Sequence, residues 1–358
     1  MTSTKLSTKY SLTYDDVQLV PAFSEIGSRS DITLDTQLTR QYTLDIPLIA
    51  SPMDTVCESA MAISMYRAGG VGCIHRFMTV TQQVAEVEAT KRVISNSYSI
   101  GVLAGKIQHD FSTIPIMAAI GANGDYLERA QELVTAGTNI LVIDVAHGHH
   151  ILVKEALSKL KASLPSTVDI VAGNIATMQA ALDLQFWGAD ALRVGIGGGS
   201  LCTTRIKTGF GVPNVSSLAE VVEVAEVPVW ACGGIRNSGD IAKALAVGAS
   251  AVVLGSLLAG TKESPGPVID RGTQGLFKRY RGAASLETKI THGISERNVE
   301  GESTVVPFKG GVKYVVEGLL DGVRSALSYA GAANLKEFHP EYVIVTSAGI
   351  TEARPHLL

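Results

Sequence analysis

The chain has 358 residues, of which 46% are hydrophobic and 18% charged, and its formal net charge is −4. This composition excludes a disordered chain and supplies material for a large core. No basic block is present, so nucleic acid is not expected as a partner. No apolar stretch is long enough to span a bilayer and residues 1–10 are polar, so we expect neither membrane contact nor export. The four cysteines lack zinc-ligand spacing, which favours reduced thiols in a cytoplasmic protein.

Short β-rich runs alternate with helical patterns along the chain. The runs are continuously apolar, which is typical of parallel strands buried on both faces. Eight such units predict an α/β fold, a (β/α)₈ TIM barrel with a closed parallel sheet, in which residues 1–358 form one domain. An open doubly wound sheet is the alternative, but no dinucleotide fingerprint follows the first strand. In chain order, the predicted strand and helix of each unit are 46–51 and 58–68, 71–75 and 81–91, 115–120 and 126–136, 140–144 and 151–163, 168–172 and 178–187, 191–194 and 216–224, 229–231 and 238–247, and 251–254 and 315–330.

Two segments fit none of these units. Residues 93–113 are predicted to be a connector between the second and third units. Residues 266–310 show no regular pattern, and an irregular segment of that length inside a compact domain usually covers a site. We therefore predict that 266–310 contains a mobile flap.

The residues that follow the predicted strands are small, polar or ionisable almost throughout, and barrel enzymes place their sites at these strand ends. Gly233-Gly234 follows the seventh strand and Gly255-Ser256 follows the eighth. Glycine lets backbone N–H groups approach an anion, and barrels commonly bind phosphate with these two loops. The pattern predicts a phosphate site, which by itself suits a nucleotide or flavin mononucleotide; turn glycines without a ligand are the alternative.

A glycine-rich loop, 195–213 (GIGGGSLCTTRIKTGFGVP), follows the sixth strand. Its glycines allow a tight curl with carbonyls facing inward, an arrangement that suits a monovalent cation. Cys202 lies at the crest, where the hydroxyls of Thr203 and Thr204 and the cation of Arg205 favour a reactive thiol. We predict that Cys202 is a nucleophile, whereas Cys57 and Cys73 lie among apolar residues and are predicted to be buried and inert.

Several segments together resemble the inosine-monophosphate dehydrogenase and guanosine-monophosphate reductase family, almost from end to end. The set is specific because it includes the cysteine loop, both phosphate loops and the flap. The matching segments are LTYDDVQLVP (12–21), IASPMDTV (49–56), AGGVGCIHR (68–76), VAGNIAT (171–177), the Cys202 loop, GGIRNSGDIAKALAVGA (233–249), GSLLAG (255–260) and YRGAAS (280–285).

The resemblance implies a role for each matching residue. Cys202 attacks C2 of a purine nucleoside monophosphate, while Thr204 and Glu300 handle the proton of the leaving group. A nicotinamide cofactor, a potassium ion and a homotetramer are also implied. The implied nucleotide-binding residues are Ser51, Met53, Asn174, Ser200, Cys232, Gly233, Gly234, Gly255, Ser256, Tyr280, Gly282 and Ala283. The implied cofactor-binding residues are Asp144, Ala146, His147 and Arg193, and the potassium carbonyls are those of Gly195, Gly197 and Cys202.

The direction of the reaction is predicted from three features. The chain lacks the CBS-type insertion typical of the dehydrogenases, has no Arg-Tyr pair between Ser285 and Glu300, and carries a Lys207-Thr208-Gly209 triplet typical of reductases. These favour NADPH-dependent reductive deamination of GMP to IMP and ammonia. Residues 255–266 and 347–356 resemble bacterial dehydrogenases, so NAD-dependent oxidation of IMP to XMP stays open. A non-catalytic nucleotide-binding homologue and a flavin-dependent barrel oxidoreductase are further alternatives.

The sequence departs from the family at the sugar. Relatives have an aspartate that binds the ribose hydroxyls directly before the glycines of the seventh strand, and here that residue is Cys232. The usual Met-Gly after YRG is Ala283-Ala284. A thiol replaces a doubly accepting carboxylate poorly. The change indicates either weaker binding of the ordinary ribonucleotide or use of a deoxyribonucleotide, dGMP converted to dIMP.

Overall fold

The computed structural model describes residues 10–103, 115–293, 297–346 and 349. Three short strands precede the barrel: β1 (Val17–Leu19), β2 (Thr36–Gln37) and β3 (Thr43–Leu44). β2 and β3 form an antiparallel hairpin. The hairpin region places Leu38 and Tyr42 in the same buried cluster as residues from the barrel strands.

Eight parallel strands form a closed barrel in which each strand pairs with its neighbours in the chain and the last pairs with the first. The predicted TIM barrel is therefore confirmed. Almost every residue of these strands is buried, which explains why their sequences are continuously apolar. The barrel strands are β4 (Leu48–Ala50), β5 (Val71–Ile74), β6 (Met117–Ile120), β7 (Ile140–Asp144), β8 (Asp169–Ile175), β9 (Ala191–Val194), β10 (Val229–Cys232) and β11 (Ala251–Leu254).

Helices follow the barrel strands, and side-chain caps begin several of them. Thr177 accepts a hydrogen bond from the N–H of Ala180, and Asn237 accepts one from the N–H of Asp240. Apart from α2, the predicted helices agree with the observed ones to within three residues, but the short helix α6 was not predicted. These helices are α1 (Ser59–Arg67), α2 (Val80–Leu103), α3 (Tyr126–Ala136), α4 (Ile151–Ser163), α5 (Met178–Phe186), α6 (Thr204–Thr208), α7 (Asn214–Val222) and α8 (Ser238–Ala246).

The predicted connector at 93–113 is wrong for its first half, because α2 is 24 residues long and continues to Leu103. Serine, asparagine, tyrosine and glycine in this segment each lower helix propensity by at most about 1 kcal/mol, and no proline interrupts it. Val87 and Ile94, one heptad apart, are fully buried and hold the helix against the barrel. Residues 104–113 of the predicted connector lie outside the described part of the chain.

The prediction that 266–310 is irregular is wrong for part of the segment, which forms a three-stranded antiparallel sheet with a helix between its last two strands. Strand pairing here joins Arg281 to Ser303, a non-local contact that no local sequence pattern reveals. That this segment moves as a flap stays a prediction. Its elements are β12 (Ile269–Asp270), β13 (Leu276–Arg281), α9 (Leu286–Thr291) and β14 (Ser303–Pro307).

The eighth barrel helix is α10 (Val312–Ala330), which packs against both α1 and α8. Its buried positions recur every three or four residues, as a helix with one apolar face requires. Gly331 follows in the left-handed conformation and ends the helix. Beyond it, β15 (Tyr342–Ile344) pairs antiparallel with β1.

The interior of the barrel is filled by side chains. Trp230 is almost fully buried, and its indole N–H donates a 2.8 Å hydrogen bond to the carbonyl of Leu38 in the N-terminal hairpin region. Cys232, two residues further along β10, points into the same cluster. The N-terminal end of the barrel is thus plugged, and the C-terminal end is left for a site.

Candidate active site

A pocket of about 530 Å³ lies at the C-terminal ends of the barrel strands, and all eight strands or the loops that follow them contribute to its lining. This is where barrel enzymes place their chemistry. Nearly all the predicted site residues meet here although they are scattered along the sequence. They are Ser51, Met53, Asp144, Ala146, Asn174, Arg193, Gly195, Gly197, Ser200, Cys202, Thr204, Cys232, Gly233, Gly234, Gly255, Ser256, Tyr280, Gly282, Ala283 and Glu300.

A thiol, a hydroxyl and a carboxylate form a chain of hydrogen bonds in this pocket. The Cys202 Sγ donates to Thr204 Oγ1 at 3.2 Å, and that hydroxyl donates to Glu300 Oε2 at 2.8 Å. The backbone reinforces the contact, because the N–H of Thr203 donates to the Glu300 carbonyl at 3.0 Å and Cys202 forms a β-bridge with Gly301. The arrangement can carry a proton from the sulfur to the carboxylate and back.

The loop that holds Cys202 is curled by glycines. Gly195 and Gly197 adopt φ angles of 137° and 83°, which side chains rarely tolerate. A Cβ at Gly195 would overlap the carbonyl oxygen of Cys232, so the two strand ends approach more closely than any other residue allows. The Gly195 carbonyl accepts a 2.7 Å hydrogen bond from the amide of Asn174, which fixes the loop against β8.

One end of the pocket is suited to an anion. Gly233 and Gly234 both have positive φ, and the hydroxyls of Ser200 and Tyr280 lie 3.2 Å apart beside Gly255. Burial raises the pKa of Tyr280, so its hydroxyl stays protonated and can donate. This end agrees with the predicted phosphate site.

Two lysines bind backbone carbonyls of the loop that follows β11, which contains Gly255 and Ser256. Lys309 donates to the carbonyl of Ser256 at 2.7 Å and to that of Leu257 at 3.0 Å. Lys278, which is buried on β13, donates to the carbonyls of Thr261 and Ser264 further along the same loop. Both ammonium groups therefore bind backbone carbonyls of the loop that follows β11. Sequence analysis missed them because neither follows a barrel strand.

Arg193 is a buried cation in the middle of the site. It forms an ion pair with Asp144, and its Nε donates to the Cys232 sulfur at 3.2 Å. Burial alone would lower the pKa of Arg193, but Cys232 and Asp144 raise it above its ordinary value. Arg193 is therefore a fixed positive charge beneath the pocket.

Arg76 and Lys289 also line the pocket and were not assigned to it from the sequence. The Arg76 guanidinium lies 5.1 Å above the Phe77 ring and donates to the Asp144 carbonyl at 3.3 Å. Its Nε is buried and has no hydrogen-bond partner among the described residues. Arg76 lies two residues beyond β5, and that position was a usable signal, whereas Lys289 lies on α9 and gave none.

His147 is the predicted cofactor residue that the structure does not bring into the pocket lining. Its side chain is exposed, and its ring centroid lies 6.4 Å from that of His149. Partial burial and the neighbouring His149 and His150 lower the pKa of His147. Its ring is therefore biased toward the neutral form outside the site.

The two cysteines that were predicted to be inert lie in the core. Cys57 and Cys73 are fully buried, and burial raises the pKa of both thiols, so they are inert as predicted.

Within the described ranges, no cluster of three or more His, Cys, Asp or Glu side chains is arranged to hold a metal ion. None of the helices in the described part of the chain combines the length and apolar content needed to cross a bilayer.

The structure is a (β/α)₈ barrel whose pocket holds a thiol hydrogen-bonded through a hydroxyl to a carboxylate, beside an end suited to an anion, and this is the arrangement of a barrel enzyme. Comparison with known proteins makes this class specific. A family model described as "IMP dehydrogenase / GMP reductase domain" matches residues 11–356. The chain belongs to this family, and it is a purine nucleotide oxidoreductase. Enzymes of the family use a nicotinamide cofactor in general.

Individual relatives cover nearly the whole chain. Inosine-5'-monophosphate dehydrogenase from Cryptosporidium parvum is 38% identical over 387 positions, covering 96% of this chain and 94% of the relative. The dehydrogenase from Nitrosopumilus maritimus is 34% identical and covers 97% and 98%. That alignment spans 470 positions, so this relative contains segments with no counterpart in the present chain. Among solved structures, a GMP reductase variant from Trypanosoma brucei in complex with guanosine 5'-monophosphate matches with a TM-score of 0.90 at 30% identity, covering 98% and 99%.

Proposed function

We propose that this enzyme catalyses the NADPH-dependent reductive deamination of GMP to IMP and ammonia through a covalent adduct between Cys202 and purine C2. The observation that carries the proposal is the single proton relay from Cys202 through Thr204 to Glu300. Attack by sulfur divides one difficult substitution into two easier steps.

One relay is sufficient for deamination. Cys202 loses its thiol proton through Thr204 to Glu300 as the Sγ–C2 bond forms. The same proton then returns from Glu300 to the exocyclic amine, the C2–N bond breaks, and ammonia leaves. Hydrolysis of the adduct in the oxidative direction needs, in addition, a base for water. The other carboxylate in the described lining, that of Asp144, is paired with Arg193, so it is not free for this task.

The residues on the far side of the pocket fit a nicotinamide cofactor. NADPH, when bound, would supply the hydride that replaces the Cys202 sulfur at C2, so that the Sγ–C2 bond breaks, C2 keeps the hydride and the thiolate takes up a proton. Asp144 and Ala146 line that side, and Arg76 also lines the pocket and carries a positive charge that suits an anionic group. The ion pair with Arg193 keeps the Asp144 carboxylate in one orientation while the nucleotide binds and leaves.

Potassium and a homotetramer belong to the same proposal. The curled loop at Gly195 and Gly197 offers neutral carbonyls, which suit a monovalent cation, although the Gly195 carbonyl already accepts from Asn174. Exposed apolar side chains on the loop after β9, Ile206 and Phe210, favour contact with another subunit. Activity in potassium against sodium chloride, and mass by light scattering, test these two points.

NAD-dependent oxidation of IMP to XMP is the second candidate, and it is favoured by the relatives named as dehydrogenases at 34–38% identity. A nicotinamide absorbance assay separates the two. We expect loss of NADPH absorbance with guanine nucleotide and release of ammonia. Formation of NADH from inosine nucleotide and NAD, without NADPH consumption, would establish the dehydrogenase instead.

A further inference from the structure

The position of the sugar follows from the two ends of the nucleotide site. The anion-binding loops lie at one end, and Cys202, which must reach the base, lies at the other. In a nucleoside monophosphate the sugar joins these two parts. Cys232 is the last residue of β10 and directly precedes the anion-binding Gly233, so its inward-pointing side chain lies where the sugar edge passes.

The described part of the pocket has no free carboxylate for a ribose. Its two carboxylates are those of Asp144, which is paired with Arg193, and Glu300, which accepts from Thr204. The Cys232 sulfur already accepts a hydrogen bond from Arg193 and is a weak acceptor. A 2′-hydroxyl buried here would exchange strong hydrogen bonds with water for a poor contact, which disfavours its binding.

We propose that Cys232 determines the sugar specificity of the enzyme and that the substrate is a 2′-deoxyribonucleoside monophosphate, dGMP in the reductive direction. A deoxyribose has no hydroxyl to leave unpaired beside the sulfur. It also presents a less polar edge to Cys232 and to the apolar barrel interior beneath it. The reaction itself rests on the proposed function, but the preference for the sugar does not depend on the direction of catalysis.

Calorimetric binding to the unmodified enzyme without cofactor tests the inference directly. The pairs GMP and dGMP, and IMP and dIMP, are compared. We expect each deoxynucleotide to bind at least as tightly as its ribonucleotide, and dGMP to have at least the kcat/KM of GMP. A tighter Kd for the ribonucleotide of either pair overturns the inference. Because the sugar is compared within each base, a wrong reaction direction leaves this result readable.

Two variants test the role of Cys232 itself. Cys232→Asp supplies the missing acceptor and should shift the ratio of dissociation constants toward the ribonucleotide by about tenfold or more, which corresponds to about 1.4 kcal/mol. Cys232→Asn is the matched control, because it has nearly the same size without the charge, and it should shift the ratio much less. Equal shifts in both variants would contradict the role given to the charge of the carboxylate, and no shift with the aspartate would assign the preference to another residue. The binding comparison on the unmodified enzyme remains decisive if a variant does not fold.

Discussion

The hydroxyl of Thr204 donates a 2.8 Å hydrogen bond to the carboxylate of Glu300, which lies three residues before β14. This contact joins the loop after β9 to the segment that leads into β14. Without it, the proton of Cys202 has no carboxylate to reach through Thr204. The pair is therefore the contact on which the proposed proton relay depends.

Replacing Glu300 with glutamine should slow the release of ammonia by about 10²–10⁴-fold, the usual contribution of a general acid or base. The amide keeps the shape of the side chain but cannot take or return the proton. Rapid-quench measurement of ammonia gives the rate of this step. Glu302→Gln is the matched control, because Glu302 is exposed two residues away, and it should change the rate less than twofold. A threefold or smaller effect of Glu300→Gln would remove this residue from the mechanism.

Cys202→Ala should abolish turnover and leave nucleotide binding largely intact. In the proposed mechanism the sulfur forms the covalent bond to C2, whereas the loops with Gly233 and Gly255, and Tyr280, are unchanged by the substitution. Calorimetry with the nucleotide and an absorbance assay on the same preparation separate the two effects. In the unmodified enzyme, mass spectrometry should detect a purine trapped on Cys202. The same experiment on Cys202→Ala should detect no adduct. Measurable turnover without the thiol would contradict the covalent mechanism.

Lys309→Met should raise the KM of the nucleotide by about tenfold, because the loss of a charged hydrogen bond of about 1.5–3 kcal/mol loosens the loop at Ser256. The corresponding nucleoside has no phosphate, so its KM should not change. Lys313→Met serves as the control, since Lys313 is exposed. An equal rise in KM for nucleotide and nucleoside would mean that the loop acts only on the fold.

The pH dependence of KM gives a second readout for Lys309. Burial lowers the pKa of this lysine, so it loses its proton at a lower pH than an exposed lysine does. Deprotonation removes the positive charge from the carbonyl side of the loop, and the KM of the nucleotide should rise on the alkaline side. Lys309→Arg keeps its charge over this range and should abolish that rise. An unchanged alkaline limb in the arginine variant would exclude Lys309 as its source.

Gly195→Ala should destabilise the enzyme more than twice as much as Gly209→Ala. Both glycines have positive φ, a conformation that costs other residues about 1–2 kcal/mol. A Cβ at Gly209 meets open space, whereas one at Gly195 overlaps the Cys232 carbonyl. Urea unfolding of the two variants measures the difference. Equal losses would show that β9 and β10 are not held as closely as described.

The barrel, the two glycine loops and Cys202 could be predicted because they depend on local patterns, whereas the roles of residues such as Thr204 and Glu300 were implied only by the family resemblance. Continuous apolar runs identify buried parallel strands, and the residues at strand ends, such as Ser51 and Cys202, must converge once the barrel closes. Sequence analysis ended α2 too early. Residues of low helix propensity do not terminate a helix that packs on the barrel. The flap sheet, Lys278 and Lys309 were missed because their partners lie far away in sequence, and only tertiary structure brings them together.

Lys278 and Lys309 also connect the binding of the phosphate, which does not react, to the reaction at the base. Lys309 stands two residues beyond β14, the strand that continues from Glu300, and its ammonium fastens the loop around the anion-binding end. Affinity for the phosphate can therefore be used to order the catalytic acid as well as to retain the ligand. A truncated substrate should then lose turnover number in addition to affinity. The phosphate would then promote the reaction at the base of the same molecule.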